Sequence, residues 1–281
     1  MSELKSILLH LDAATNVAER LALADRLGQA HGARVEAVYA VLPAVLQYPF
    51  AFAGDAQAAA LLMSYETDQR ARAKAALERA RKAPGSAIAV PWHESSDEPL
   101  RAVTQRAWAA DLLVLAQHDP APKGYSGVPP DFAAAVLLES GKPGLLMPFI
   151  GAGPTLGQNV LVAWKASPES ARAVTAALPI LQRARQVHLA VWDESATVDS
   201  DADAPLPIQA YLGHHGIAAK LHRGGPPTRE LGEMLLSLAS DVQADLLVMG
   251  CYGHGRAREW VLGGATRTVL GSMTLPVLMA H

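Results

Sequence analysis

Met249 to Thr266 reads MGCYGHGRAREWVLGGAT, and this stretch decides how the rest of the chain is read. It begins where the apolar run Leu246-Leu247-Val248-Met249 ends, and it carries Gly250, Gly253 and the pair Gly263-Gly264. Ala265 to Leu270 then has helical character, and the chain returns as an apolar strand over Leu275 to Met279. A strand, a glycine-punctuated loop and a helix start are the parts of an anion cradle. Glycines let backbone N–H groups approach an anion closely, and the unpaired amides of a helix N-terminus add to the attraction. His254, Arg256 and Arg258 place protonatable or positive groups in the same loop. Glycines alone mean little, because Gly is the common residue of any turn. The spacing Gly-x-x-Gly, nine residues, then Gly and a small residue is more restrictive. It is not the P-loop, since no Gly-Lys-Ser/Thr closes it, nor is it the dinucleotide fingerprint.

Working outward, the chain has 281 residues, enough for two ordinary domains. Half of it is hydrophobic with few aromatics, which suits helices packed on a parallel sheet. A net charge of −3 and a pI near 6.4 leave no basic footprint, so nucleic acid is not an expected partner. The single cysteine, Cys251, excludes an internal disulfide and fits a reducing cytoplasm, and no signal peptide is visible. Ala37 to Gly54 carries no charge over eighteen positions, at the lower limit for a membrane span. Pro43, Gln47 and Pro49 interrupt it, so a buried strand and an apolar loop are expected there, and no membrane partner.

The first half alternates strands and helices. Strands are expected over 6–11, 35–41, 88–92, 111–115 and 145–147, and helices over 18–31, 56–81, 99–110 and 131–140. Tyr48, Phe50 and Phe52 fall in a proline-containing loop that could close over a pocket or bury in an interface. The pattern then repeats. Ala110-Asp111-Leu112-Leu113-Val114-Leu115 matches Ala244-Asp245-Leu246-Leu247-Val248-Met249, and Lys142-Pro143-Gly144-Leu145-Leu146-Met147 matches Leu275-Pro276-Val277-Leu278-Met279. Strands at 159–164, 187–191 and 219–222 and a helix at 170–182 complete the second copy. Two copies of one α/β unit explain the length. The boundary falls in Phe149 to Gln158, which holds Gly151, Gly153, Pro154 and Gly157.

The glycine spacing, in the second copy of a duplicated α/β chain, resembles that of the nucleotide-binding members of the universal stress protein family. The chain is identified as a tandem two-domain member, and the resemblance covers nearly all of it. The expected fold is α/β, two tandem open and mostly parallel five-stranded sheets with helices on both faces. Residues 1–150 form a degenerate copy without a phosphate cradle, 151–158 a linker, and 159–281 the copy with the glycine-rich loop. Ligands of such sheets bind outside the carboxyl ends of the strands. The resemblance implies that Ala163, Trp164, Lys165 and Val191 enclose the base, and that Met249, Gly250 and Gly253 approach the ribose and phosphates. Gly263, Gly264, Ala265 and Thr266 would hold the outer phosphates. The cofactor implied is ATP or ADP, with or without Mg²⁺, bound by a cytoplasmic stress-response regulator that is at most a slow hydrolase. Two departures weaken this reading. Lys165 stands where the family commonly has an acidic residue, and Gly264 where it prefers Ser or Thr, which loses a hydroxyl worth about 1 kcal/mol. Thr266 is a partial replacement.

The first half keeps a family-like Asp12 but has Ala116-Gln117-His118-Asp119 where the cradle would open and Pro130-Asp131 where it would close. Proline has no N–H to offer, and Asp131 is expected to cap the helix itself. His10, Asp12, His93 and His118 all fall near strand ends and form a candidate metal or acid–base cluster, against their reading as polar loop residues. His214, His215 and His222 offer a weaker metal set, and Cys251 a weak redox candidate. The competing functions are a non-nucleotide binding protein with a drifted site and an enzyme using the histidine-lined pocket. The last strand of each half is an edge for intramolecular pairing of the two domains, and whole chains could pair as a homodimer.

Overall fold

The computed structural model describes residues 3–88, 92–95, 97–120, 127–192, 206–225, 228–251 and 264–281. They form two compact units, Glu3–Gly151 and Ala152–His281. In the first, β1 (Ser6–Leu11), α1 (Val17–His31) and β2 (Arg34–Tyr39) are followed by α2 (Ala44–Gln47), α3 (Pro49–Gly54) and α4 (Ala56–Arg81). Then come α5 (Pro99–Ala107), β3 (Leu112–Ala116), α6 (Phe132–Ser140) and β4 (Gly144–Met147). The strands run parallel in the order β2-β1-β3-β4. In the second unit, β5 (Asn159–Ala163), α7 (Pro168–Leu181), β6 (Gln186–Trp192), α8 (Pro207–His214), β7 (Ala219–Gly224) and α9 (Leu231–Asp241) lead on to the glycine-rich stretch. β8 (Leu246–Gly250), α10 (Gly264–Ser272) and β9 (Val277–Ala280) close the chain, and the parallel order is β9-β8-β5-β6-β7.

The α/β class and the helices on parallel strands are therefore as expected, with a difference in strand count. The second unit has its five strands, whereas the first has four among the described residues. Of the strand expected over 88–92, residues 89–91 lie outside the described set. Its flanks Ile88 and Glu94 make parallel bridges to Val35 and Tyr39, in the direction the repeat calls for. A second difference concerns Tyr48, Phe50 and Phe52, which sit in or beside the short helices α2 and α3 rather than in a loop. Phe50 is 90% exposed. Among the described residues no helix is long and apolar enough to cross a membrane.

Strands β1, β3, β4, β8 and β9 are buried almost end to end, as parallel strands covered on both faces must be. The outer strand β7 is the exception and stays half exposed. Helix ends follow local chemistry. α1 and α6 stop at Gly32 and Gly141, which take the left-handed conformation that costs glycine least. Asp55 caps α4 by accepting from the amides of Gln57 and Ala58, and Ser167 caps α7 by accepting from Ser170.

The repeated Ala-Asp-Leu-Leu-Val segment has a physical cause. The Asp111 carboxylate accepts the backbone N–H groups of Lys5 and Ser6, both at 2.9 Å. The Asp245 carboxylate does the same for Gln158 and Asn159, at 3.1 and 3.0 Å. Each aspartate thus ties the start of its own strand to the start of the first strand of its unit. The prolines of the second repeat act alike: Pro143 and Pro276 each accept from a leucine N–H at 3.0 Å, that of Leu113 and of Leu247. Replacing Asp245 by Ala removes two charge-assisted bonds and is expected to cost about 1–3 kcal/mol of stability. Urea unfolding of the variant against the native chain measures it.

Candidate functional site

The strand order of the second unit makes a switch point. From β5 the chain passes outward to β6 and β7, then crosses to the other side of β5 for β8 and β9. The crevice outside the carboxyl ends of β5 and β8 is where such sheets hold ligands. Ala163 is in register with both Met249 and Ala190, and the Trp164 N–H continues the ladder to the Ala190 carbonyl at 2.9 Å. Ala163 and Trp164 are half-buried and Lys165 is exposed. Val191, next to last in β6, is in register with Arg223 and half-buried. Ala163, Trp164, Lys165, Val191, Met249 and Gly250 are thus placed on one edge of one sheet, as the sequence reading expects.

Gly253 and Gly263 lie outside the described residues, together with His254, Arg256 and Arg258. Gly264, Ala265 and Thr266 form the first turn of α10. Gly264 is exposed, but Thr266 is 5% exposed and belongs to the packed side of the helix. The polar side chain near this turn that sequence reasoning missed is Glu230. Its carboxylate oxygen stands 3.0 Å from where a Cβ on Gly264 would be and accepts the Thr268 hydroxyl at 3.0 Å. This gives a reason for Gly264 in place of Ser or Thr: a side chain there would press on Glu230. Only the packing of α9 against α10 brings the two together, and the closest approach is made at Gly232, whose missing Cβ leaves room for Thr268. Gly250 has a packing role as well. A Cβ on it would lie 2.6 Å from the Ser170 amide nitrogen, so the first turn of α7 can rest on β8 only if this residue is glycine.

Trp192 and Cys251, at the ends of β6 and β8, are both occupied by packing. The Trp192 indole lies over Gly224 on the neighbouring strand, where a Cβ would collide with it. Cys251 is 1% exposed, and burial, with a smaller push from Glu169, raises its thiol to about 12. A thiol held protonated in this way is inert, which argues against a redox role.

In the first unit the equivalent edge opens into a cavity of about 300 Å³ lined by the ends of β1 and β3 and the start of α6. His10, Asp12 and His118 meet there, whereas His93 does not line it and lies beside Arg106 instead. Asp12 is not available as a ligand. Arg20, fully buried on α1, holds both its carboxylate oxygens at 3.0 and 2.5 Å, and the Ala14 N–H donates to it at 3.0 Å. Burial alone would raise the Asp12 carboxyl, but the Arg20 charge and hydrogen bonds outweigh it and hold it below the usual range. Arg20 shares the inner face of α1 with Val17, Leu21 and Ala24, and an arginine in that apolar row is the signal the sequence reading passed over. His10 donates from Nε2 to the Ala40 carbonyl at 2.8 Å and packs against the Phe132 ring at 4.6 Å. Burial pushes its pKa down to about 4, so it is neutral at physiological pH.

These facts tell against the metal alternative for His10, Asp12, His93 and His118, since the carboxylate is spent on arginine and one histidine lies elsewhere. Among the described residues no group of three potential ligands is placed to hold a metal ion. His222 does not join His214 and His215 but shares a 2.8 Å hydrogen bond with His188, while His215 packs on Tyr211. Asp131 stands at the N-cap position of α6, yet its side chain makes no capping hydrogen bond, contrary to expectation. Tyr65 of α4 lines the cavity, and Tyr48, Phe50 and Phe52 do not.

Residues 157–281 match the universal stress protein family. The whole chain is similar in fold to a universal stress protein from Archaeoglobus fulgidus DSM 4304, with a TM-score of 0.69 and 18% identity, over 98% of this chain and 97% of that one. It is similar also to a functionally unknown protein from Pseudomonas aeruginosa PAO1, with a TM-score of 0.61 and 14% identity over 98% and 92% of the two chains. A third structure, from Pseudomonas aeruginosa UCBPP-PA14 and given the same family name, has a TM-score of 0.62 and 16% identity over the same shares. At these identities the likeness establishes the fold, along both halves. No curated protein matches the sequence.

The state of His10 sets a pH dependence. Its folded pKa lies below the unfolded value near 6.5, so the unfolded chain binds the extra proton between the two values. Stability is complete above that range and falls as pH drops from about 6.5 towards 4, by up to about 3 kcal/mol. His188 and His222, also lowered by burial, act in the same direction. Chemical denaturation from pH 7 to 4.5 should therefore show a loss that is clearly smaller in His10→Gln. The Asp12 contribution is lost only at lower pH, as its carboxylate takes up a proton below the ordinary carboxylate range.

Proposed function

We propose that the C-terminal half binds ATP or ADP at the β5–β8 switch point and that the protein acts as a regulator in a stress response. It is a switch in this reading and not a rapid catalyst. The observation that carries the reading is where α10 begins. Its first turn, Gly264-Ala265-Thr266, follows in sequence the glycine-spaced stretch after β8, on the chain that continues from the switch point. The amides of a helix start are suited to phosphate. The base would sit against Ala163, Trp164 and Val191, with Lys165 at the mouth. The family match over residues 157–281 supports the same assignment.

Glu230 modifies it. A carboxylate beside the first turn of α10 already occupies part of the positive field there, so it opposes an incoming phosphate. This is the observation that favours the second reading, a site that has drifted from nucleotide to another ligand. The first half has gone further in that direction. It offers Pro130 where a donor would be needed, and in this reading it is a degenerate domain without phosphate binding.

Heat denaturation of the purified protein, with analysis of the released small molecules, tests for retained nucleotide, and calorimetric titration with ATP measures affinity. Gly253→Asp should abolish binding by crowding and repelling phosphate. Glu230→Gln removes the competing charge and should tighten ATP severalfold, on the order of 1 kcal/mol. Absence of ATP binding in both the native chain and Glu230→Gln would leave the drifted-site reading.

A further inference from the structure

The two halves of α4 obey different rules. From Glu66 onward the helix sets charged residues around the buried Gln69, Ala73, Ala76 and Leu77, as a helix lying on a domain surface does. Ahead of that point, Ala56 to Tyr65 contains no charged residue, yet no residue of α4 before Gln69 is buried. Leu61 is 71% and Met63 59% exposed, and at the α-helical pitch these two positions fall on opposite flanks. A helix apolar around its circumference is ordinarily covered on every side. The short helices α2 and α3 pack on α4 and continue the apolar surface, with Val45, Leu46, Tyr48 and Phe50 all exposed. Scattered single apolar residues on a surface need no explanation, but six large ones gathered on three adjoining helices do.

Charge and area say what covers this tip. Between Arg34 and Arg70 the sequence has no lysine or arginine, so this segment offers nothing to an anionic lipid headgroup. The acidic groups of the tip are met locally. Asp55 accepts the amides of Gln57 and Ala58 at 2.9 and 3.0 Å, and Glu66 accepts the Ala44 N–H at 3.0 Å and Arg70 at 3.2 Å. The same face can therefore meet itself without a like-charge penalty. The six side chains expose about 600 Å² in all, so two copies would cover about 1,200 Å², where specific protein interfaces begin. Exposure on both flanks of α4 suits insertion between matching helices, whereas a lipid surface would meet one flank only. We propose that the tip formed by α2, α3 and the first half of α4 pairs with the same tip of a second copy of this chain, about a two-fold axis. The pairing does not depend on nucleotide binding in the second half.

Sedimentation equilibrium of the full-length chain tests it. A chain of 29.6 kDa should pass to twice that mass as its concentration rises, with a dissociation constant in the micromolar range expected of a contact this size. Phe50→Glu and Leu61→Glu each place a charge at an exposed position, so the fold should persist by circular dichroism while association weakens by about tenfold or more. Leu46→Glu serves if either fails to fold. Trp108→Glu is the control: Trp108 is 60% exposed but stands ahead of β3, at the opposite end of the sheet from the β2 end that leads to α2, and its replacement should leave association unchanged. Flotation with phosphatidylcholine–phosphatidylglycerol vesicles should leave the protein unbound. The proposal is overturned if the native chain stays monomeric up to about 200 µM, well above that range. It is overturned also if dimers survive the folded tip variants, if Trp108→Glu weakens them as much, or if the chain floats with the vesicles.

Discussion

Each half of the molecule is tied at one point by a carboxylate. Asp111 and Asp245 stand at the start of the fourth repeat strand and accept the two backbone amides at the start of the first. A parallel pair has no hairpin to set its register, so a fixed point at the amino end has to come from elsewhere. The rest follows along the strands. Once the amino ends are level, Ala163 lies opposite Met249, and in the other half Leu9 lies opposite Val114. Both crevices at the carboxyl ends therefore open at equivalent places.

What happens in the crevices differs because the side chains at the strand ends differ. In the first half an aspartate and an arginine cancel one another inside the protein, a histidine is held neutral by burial, and prolines replace amides. The outcome is a cavity with no lysine or arginine among the described residues that line it. In the second half glycines come to the edge instead, but they serve packing as well as any ligand. Gly250 makes room for α7, and the absence of a side chain at Gly264 makes room for Glu230. A glycine pattern in a loop is thus not by itself a record of phosphate contact, since close approach of backbone to backbone needs the same residue.

The duplication, the strand and helix order, and most element positions were legible in the residues. They depend on hydrophobic periodicity and on end signals such as Asp55, Pro143 and Gly141, which act within a few positions along the chain. Tyr48, Phe50 and Phe52 misled because two prolines suggest a loop, whereas Pro49 at the first position of α3 starts a helical turn. The metal alternative could not be settled from the residues for another reason. His10, Asp12, His93 and His118 share a class of position, and position says nothing about which partner each already has.

The sequence by itself determined a doubled α/β chain and the edge of each copy at which ligands would gather, because these arise from local pattern and from strand ends. The tertiary structure alone decided that Arg20 neutralises Asp12, that His10 stays uncharged, that Glu230 meets the first turn of α10, and that the first crevice is a cavity. Those facts depend on distances between groups on different elements, set by how helices cross and how far each side chain is buried. Such distances, and the removal of water that goes with them, fix charge state and hydrogen bonding, and no order of residues along a strand contains them.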